Sequence, residues 1–564
     1  MKTTITASGP APRSLARLGI LFWCAIAAAF ACGHLRVTRG PVLASDSYTY
    51  LSVADNFLTG LPGYTSIVHF DSERSFGRVP APLTTFPPGY PAAIGAVRAV
   101  SGIPTSWAAC AVSILAFVLL VAVCAHAARL LGVGPPLTRF MLVWLIGNSW
   151  GAIFGTSVLT ESLFTLTSVA ALTLLVSAMQ KPAATRHAAL LFVAGGILAG
   201  ASYWVRYAGL FLFAAIASFF LVRLLVVRDR SSRLAALSAG CAAALVAAGM
   251  VRNSLLVGTW KGGNTKIVHH PLVGVIHDFA LWNYHLLLGG IASSRFGVGE
   301  VLLCAGALVL GPVVVAGSRR ERGAWTLRRI ILGRPALLLW YLVVYCAGML
   351  YLGVTSVISF DTRMFYPVLP VMLLLAARGL QASFAGLRAD SARPLIAYAA
   401  LSVVTLGYLV INGRSYLAPM REPPDQVVAR ELGPELPAGT SLLSWLEAHV
   451  PPGDTIVSNR GQASAYVLHR KTVSLISDEY SDQHWDEDSV RTLMRTYGAE
   501  YIVVYFGDGG DPVLHESSFL SGLARLSPPN WLQLAAHNRD AAVFRLTGGS
   551  VSSTGPSGHS PRKS

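Results

Sequence analysis

Residues 106–130 read SWAACAVSILAFVLLVAVCAHAARL, and this stretch decides the class of fold. It holds no acid, and its one charge, Arg129, stands next to its end. An apolar run of this length spans the hydrocarbon of a bilayer as a helix. The run is not isolated. Comparable segments lie at about 15–35, 137–155, 158–180, 188–205, 207–227, 235–256, 298–317, 335–355, 364–382 and 395–412, so the sequence predicts about 11 transmembrane helices. The whole chain agrees. Of 564 residues, 53% are hydrophobic and 13% charged, and the mean hydropathy is +0.54. Soluble domains carry about 25% charge. A soluble enzyme, a disordered chain and a disulfide scaffold are excluded.

The net charge of +16 does not point to nucleic acid. Lys and Arg gather in alternate connections: Lys2, Arg13 and Arg17; Arg129 and Arg139; Lys181 and Arg186; Arg223, Arg228, Arg230 and Arg233; Arg319, Arg320, Arg322, Arg328, Arg329 and Arg334; Arg378, Arg388 and Arg393. The loops between them hold almost none. This bias places the N-terminus, 1–14, in the cytoplasm and everything after 412 outside. Three external regions result: about 36–105, 257–297 and 413–564. The apolar segment 272–292 carries His277, Asp278, Asn283 and His285 and reads as interfacial or re-entrant. The seven cysteines lie in or at the end of apolar segments without C-x-x-C spacing, as buried thiols do.

Composition changes at Pro423-Pro424, so 413–435 reads as a linker. Beyond it, Thr440 can cap a helix over 441–449, which Pro451-Pro452-Gly453 stops. Short β-rich runs follow at 455–458, 472–476, 501–506 and 541–546, with a helical stretch near 487–497. Residues 436–548 therefore read as an extracytoplasmic α/β domain. The tail 549–564 is low-complexity.

Chemistry concentrates at the outer ends of the spans. Asp46 follows the first span and opens a helix in which Tyr50, Ala54 and Phe57 recur at helical spacing, a pattern that fits a helix on the membrane surface. Asp46 can serve as a helix cap or as a general base. Glu161 begins the fourth span, where a carboxylate is costly unless paired or functional. It can favour the helix dipole, or join Asp46 on one cavity for base catalysis or a divalent cation. Arg206, Arg252 and Arg363 stand at other outer ends, and Arg363 can pair with Asp361. Each can anchor a helix, and together they can hold a phosphate. Among the external histidines, His69, His269, His270, His277 and His285, no pair has the i, i+4 spacing of a helical metal site.

The order of these pieces resembles a bacterial GT-C glycosyltransferase of the PMT/ArnT-like (family 39/83-type) group. The residues that carry the likeness are Asp46-Ser47-Tyr48, Phe86-Pro87-Pro88-Gly89-Tyr90-Pro91, Thr160-Glu161-Ser162-Leu163-Phe164, Arg206-Tyr207, Arg252-Asn253 followed by Gly258, and Asp361-Thr362-Arg363-Met364-Phe365-Tyr366-Pro367-Val368-Leu369-Pro370. They cover about 15–412, the GT-C-like transmembrane domain.

The resemblance implies inverting transfer of a sugar from a polyprenyl-phosphate-linked donor on the outer leaflet of a bacterial plasma membrane. The acceptor would be a glycan, lipid or protein. Asp46 would be the catalytic base, Glu161 the second acid, and Tyr48, Arg206, Arg252 and Arg363 would bind substrate. No cofactor follows, a divalent metal cation at the acids being the one candidate. One departure stands out: protein mannosyltransferases carry an acidic pair after the first span, and here Ser47 follows Asp46. Protein O-mannosylation and a fixed metal are therefore not implied. A transporter or flippase is the alternative. It would place its ionisable groups near the bilayer midplane, whereas these lie at span ends. A structural subunit would leave Asp46 and Glu161 unexplained.

Overall fold

The computed structural model describes residues 13–69, 75, 77–182, 185–226, 230–262, 267–288, 298, 301–303, 305–310, 333–356, 360–387, 392–417, 442–476, 483–506 and 511–547. Much of the expected span at 298–317 lies outside them. So do Lys2, Arg228, Arg319, Arg320, Arg322, Arg328, Arg329, Arg388, Cys304, most of the linker, Pro423, Pro424, Thr440 and the tail 549–564.

The chain divides into two compact units. One comprises Met1–Ala44, Phe86–Asn253 and Ile267–Arg421; the other comprises Ser45–Thr85, Ser254–Lys266 and Glu422–Ser564.

The first unit is helical. It contains α1 (Arg13–Val37), α3 (Gly89–Ser101), α4 (Thr105–Leu130), α5 (Pro135–Ile146), α6 (Ser149–Thr156), α7 (Glu161–Ala178), α8 (Arg186–Val205), α9 (Gly209–Val226), most of α10 (Arg230–Val257), α11 (Leu272–Leu288), α12 (Arg334–Thr355), α13 (Thr362–Phe365), α14 (Leu369–Ala385) and α15 (Arg393–Leu417). The second unit holds α2 (Ser45–Leu58), which precedes α3 in the chain. Among the described residues nine helices are long and apolar enough to cross a bilayer, and the pair α5 and α6, bent by 57°, makes a tenth. The core spans are α4 and α7, which pack on each other and bury residues such as Phe117, Leu120, Phe164 and Leu172.

The bend between α5 and α6 has an identifiable cause. Gly147 and Asn148 interrupt the helix, and the Asn148 side chain caps α6 by accepting from the Trp150 and Gly151 amides. The same side chain donates to the Leu286 carbonyl and to Tyr408 Oη, at 2.8 and 2.9 Å. Asn412 accepts from the Ser149 amide and donates to the Leu288 carbonyl. These asparagines satisfy terminal carbonyls of α11 that lipid could not. The segment read as interfacial or re-entrant is thus a helix whose end is pinned to α6 and α15.

The second unit is an α/β sheet. Beside α2, β1 (Tyr64–Thr65) pairs antiparallel with β3 (Ala81–Pro82). Then follow α16 (Leu442–His449), β4 (Thr455–Ser458), α17 (Gly461–Leu468), β5 (Lys471–Ser474), α18 (Glu487–Thr496), β6 (Ala499–Tyr505), α19 (Pro512–Glu516), α20 (Ser518–Ala524), β7 (Leu532–His537) and β8 (Ala541–Leu546). With β2 (Ile67–His69) they form a six-stranded sheet in the order β2-β5-β4-β6-β8-β7. Strands β2, β5, β4 and β6 run parallel, and β8 and β7 complete the sheet antiparallel. Central β4 and β6 are buried almost throughout, as parallel strands covered on both faces require. Val457, Val473, Ile502, Val504 and Phe544 centre that core.

Two features differ from the sequence reading. The first external loop was expected to belong with the membrane helices, yet residues 67–69 supply an edge strand to the distal sheet. Periodicity cannot reveal a three-residue strand whose partner lies about four hundred residues away. Helix α2 was expected on the membrane surface. Its Tyr48, Tyr50, Leu51, Val53 and Ala54 are buried. Amphipathicity specifies that one face is covered, not what covers it.

Candidate functional site

In the first unit the site is built at the turn that enters α7. After α6 the chain runs extended, and Val42 bridges Ser157 with the Val158 amide donating to the Val42 carbonyl at 2.9 Å. Ser113 Oγ donates to the Ser157 carbonyl at 2.8 Å, and His34 Nδ1 meets Thr156 Oγ1 at 2.8 Å. So braced, the turn delivers Glu161 as the first residue of α7.

Glu161 is 1% exposed. Its Oε1 accepts a hydrogen bond from Arg206 Nη1 at 2.5 Å, while Thr160 Oγ1 accepts a second bond from Nη1 at 3.3 Å. Glu161 Oε2 is buried with no hydrogen-bond partner. Arg206 owes its position to a tight reversal. Helix α8 ends at Val205, Arg206 is extended, and the Gly209 amide returns to the Arg206 carbonyl at 2.8 Å. A Cβ at Gly209 would lie 2.4 Å from the Tyr203 nitrogen, so only glycine fits that turn. The Pro-Pro-Gly-Tyr-Pro motif has a similar reason. A Cβ at Gly89 would lie 2.5 Å from the Trp204 carbonyl oxygen, so α3 can start against the end of α8 only as it does.

Arg252 belongs to a second set of bonds. Its Nη1 donates to Asn253 Oδ1 at 3.0 Å, and Asn253 Nδ2 donates to Tyr207 Oη at 2.9 Å. A chain thus runs Arg252–Asn253–Tyr207, and the next residue along the backbone is Arg206. Asn253 is 1% exposed. Arg363 sits on short α13, which Asp361 caps by accepting from the Met364 amide. As expected, Arg363 pairs with Asp361, Nε to Oδ2 at 2.7 Å. Tyr345 Oη donates to the Met364 carbonyl at 2.8 Å and lies within electrostatic reach of Arg206 and Glu161. The structure therefore bonds Glu161 directly to Arg206, and ties Arg252 through Asn253 to Tyr207, the neighbour of Arg206 in the chain.

This arrangement is suited to an anion. Arg206 and Arg363 keep 24% and 32% of their side chains exposed. A dication fits poorly at Glu161, because a guanidinium faces its carboxylate where further oxygen ligands would be needed. Among the described residues no group of three or more His, Cys, Asp and Glu stands together as a metal site.

Asp46 and Tyr48 belong to the second unit. Asp46 is half-buried in the first turn of α2, and Tyr48 is 4% exposed. The Tyr48 ring lies 5.3 Å from that of Tyr466 on α17. Tyr48, expected to bind substrate, packs against the Tyr466 ring. Sequence reasoning passed over the roles of Thr160, Tyr207, Asn253 and Tyr345. For Asn253 a signal existed: an amide beside an arginine near the end of an apolar helix needs a partner.

No protein-family model matches the chain, and no curated protein matches it. Solved structures do. ArnT from Cupriavidus metallidurans in the apo state aligns over 94% of this chain and 98% of its own, at 14% identity and TM-score 0.54. The same protein bound to undecaprenyl phosphate aligns over 93% and 97%, at 15% identity and TM-score 0.52. The Archaeoglobus fulgidus oligosaccharyltransferase, in complex with zinc and sulfate, aligns over 86% of this chain and 68% of its own, at 14% identity and TM-score 0.54. The polytopic helices and distal sheet of this chain have the fold of the GT-C glycosyltransferases.

Proposed function

We propose that the chain is a membrane glycosyltransferase that moves a sugar from a polyprenyl-phosphate-linked donor to an acceptor hydroxyl, with inversion. The observation that carries the reading is the chain Glu161–Arg206 and Tyr207–Asn253–Arg252 at the helix ends. One guanidinium is fixed by a buried carboxylate, and the other is tied to the residue that follows it in the chain. The fold supports the same reading, since ArnT has been solved with undecaprenyl phosphate. The archaeal oligosaccharyltransferase AglB has been solved with an inhibitory peptide and a dolichol-phosphate.

In this mechanism Asp46 takes the proton from the acceptor hydroxyl as its oxygen attacks the anomeric carbon. The bond from that carbon to the phosphate oxygen breaks, and polyprenyl phosphate leaves. Arg206, Arg252 and Arg363 stabilise the charge that grows on the departing phosphate. Glu161 keeps Arg206 oriented, which is a different part from the second catalytic acid the sequence suggested. The acceptor is a glycan, a lipid or a protein. The N-terminus faces the cytoplasm, and residues 413–564 lie outside the bacterial plasma membrane. The transporter reading gains nothing here, because these ionisable groups sit at the ends of α7, α8 and α10.

The test uses the full-length protein in nanodiscs. Undecaprenyl-phosphate-linked glucose, galactose, mannose and arabinose are offered with a cell-envelope extract as acceptor. Released undecaprenyl phosphate is measured by mass spectrometry. Release should depend on Asp46: Asp46→Asn keeps the size but not the base, and should slow turnover about 10²–10⁴-fold. Asp55→Asn, on the same helix, should leave it unchanged. No release from any donor would sink the assignment.

A further inference from the structure

Helix α2 and strand β2 are folded back on each other. Asn56 Nδ2 donates to the Tyr64 carbonyl and to Ser66 Oγ, both at 3.0 Å. The Ser66 amide donates to Ser52 Oγ at 2.9 Å. From that clasp the strand retraces the helix. Three strand residues, Ser66 to His69, cover about 10 Å. Six helical residues, Ser52 back to Asp46, cover about 9 Å. His69 therefore comes level with Asp46.

The distal domain grips both residues. On α17, Gln462 and Tyr466 are four residues apart and share one face. Gln462 Nε2 lies 2.9 Å from His69 Nε2, and the Tyr466 ring packs on Tyr48, two residues after Asp46. With the Gln462 amide assigned as donor, His69 Nε2 accepts, and the imidazole is neutral with its proton on Nδ1. Burial lowers the His69 pKa from the ordinary histidine value, and the Asp46 carboxylate works in the opposite direction. The register is fixed from the other side as well, because His69 pairs with Ser474 of β5.

We infer that His69 is a positioning residue for Asp46, and that Gln462 of the distal domain fixes His69 in that task. The distal domain is then part of the apparatus that aims the base, over and above any contact it makes with an acceptor. The inference rests on the reading of Asp46 as the base.

The test measures kcat and donor KM for the full-length protein in nanodiscs, with whichever of the four undecaprenyl-phosphate-linked sugars the wild type turns over. His69→Ala lets the base drift, and a misplacement near 1 Å costs on the order of 10²-fold in rate. The fall should appear in kcat with donor KM unchanged. His69→Gln, which can still accept from Gln462, should restore most of the rate. Gln462→Met, which keeps the bulk and loses the hydrogen bond, should lower kcat in the same sense. It also carries the test should His69→Ala fail to fold. Wild-type kcat in both His69→Ala and Gln462→Met overturns the inference, and so does a loss confined to donor KM. Wild-type kcat in Gln462→Met alone removes the part given to Gln462. Full activity in Asp46→Asn, by contrast, overturns the reading of the base itself.

Discussion

The pair Glu161–Arg206 should be lopsided in its energetics. The carboxylate side chain is 2% exposed and the guanidinium 24%. Removing Arg206 therefore strands a charge that water cannot reach. Removing the charge of Glu161 leaves a guanidinium that water can partly solvate. Arg206→Met keeps the length of the side chain and strands Glu161, whose Oε2 already has no hydrogen-bond partner. Losing one partner of a buried pair costs about 3–5 kcal/mol. A stranded carboxylate can escape by taking up a proton, which at pH 7 costs an ordinary glutamic acid roughly 3.7 kcal/mol. That route caps the loss at the lower part of the range. It also gives the loss a pH dependence. Each unit of acidification lowers the cost of the proton by about 1.4 kcal/mol, so the deficit should shrink to near 1 kcal/mol at pH 5. The sign is that of a folded state binding more protons than the unfolded one: the variant gains on the wild type as pH falls.

Glu161→Gln should cost less, about 1–2 kcal/mol, since an amide oxygen still accepts from Arg206. In the double variant no charge is stranded, so the two losses should fail to add by about 1–3 kcal/mol. The assay is reversible unfolding in mixed micelles, titrated with sodium dodecyl sulfate at pH 7 and pH 5. Equal losses in the two single variants, additive losses in the double, or a deficit in Arg206→Met that does not shrink at pH 5 would each refute the reasoning.

Three further outcomes follow from the geometry. Gly89→Ala places a Cβ 2.5 Å from the Trp204 carbonyl oxygen; as backbone must move, micelle unfolding should show a loss of about 1–3 kcal/mol, with reduced transfer because Arg206 follows directly on the end of α8. Arg363→Lys keeps the charge but cannot hold Asp361 through Nε while presenting a planar fork to phosphate, so donor KM should rise in the nanodisc assay, and a wild-type value would place the phosphate elsewhere. Residues 436–548 expressed alone leave the β5 edge without β2, and unpaired edges associate; light scattering should show oligomers that disappear when residues 45–85 are fused to the domain.

The fold was legible from the sequence where one physical signal dominates. Hydrocarbon thickness sets span length, so α4, α7 and α12 stand out as apolar runs. The strands of the distal sheet at 455–458 and 541–546 stand out by β-branched and aromatic content between breakers. What stayed hidden depends on distant partners. The bent pair at Gly147-Asn148 reads as one apolar span until the carbonyls of Leu286 and Leu288 supply a reason for the break. β2 is three residues long, and no window can detect it.

The site divides in the same way. Arg363 and Asp361 are two residues apart, and their pairing could be read from that spacing. Glu161 and Arg206 are 45 residues apart and both sit at helix ends, so the sequence could suggest a common side but no partner. The difference matters for function. An acid at the edge of hydrocarbon has two ways to remain charged: to face a water-filled cavity as a catalyst, or to be neutralised by a buried cation. Sequence leaves both open. In the structure the carboxylate side chain is 2% exposed and bonded by Arg206, the arrangement of the second. In the proposed mechanism the acceptor proton goes to Asp46, which is half-buried in the first turn of α2.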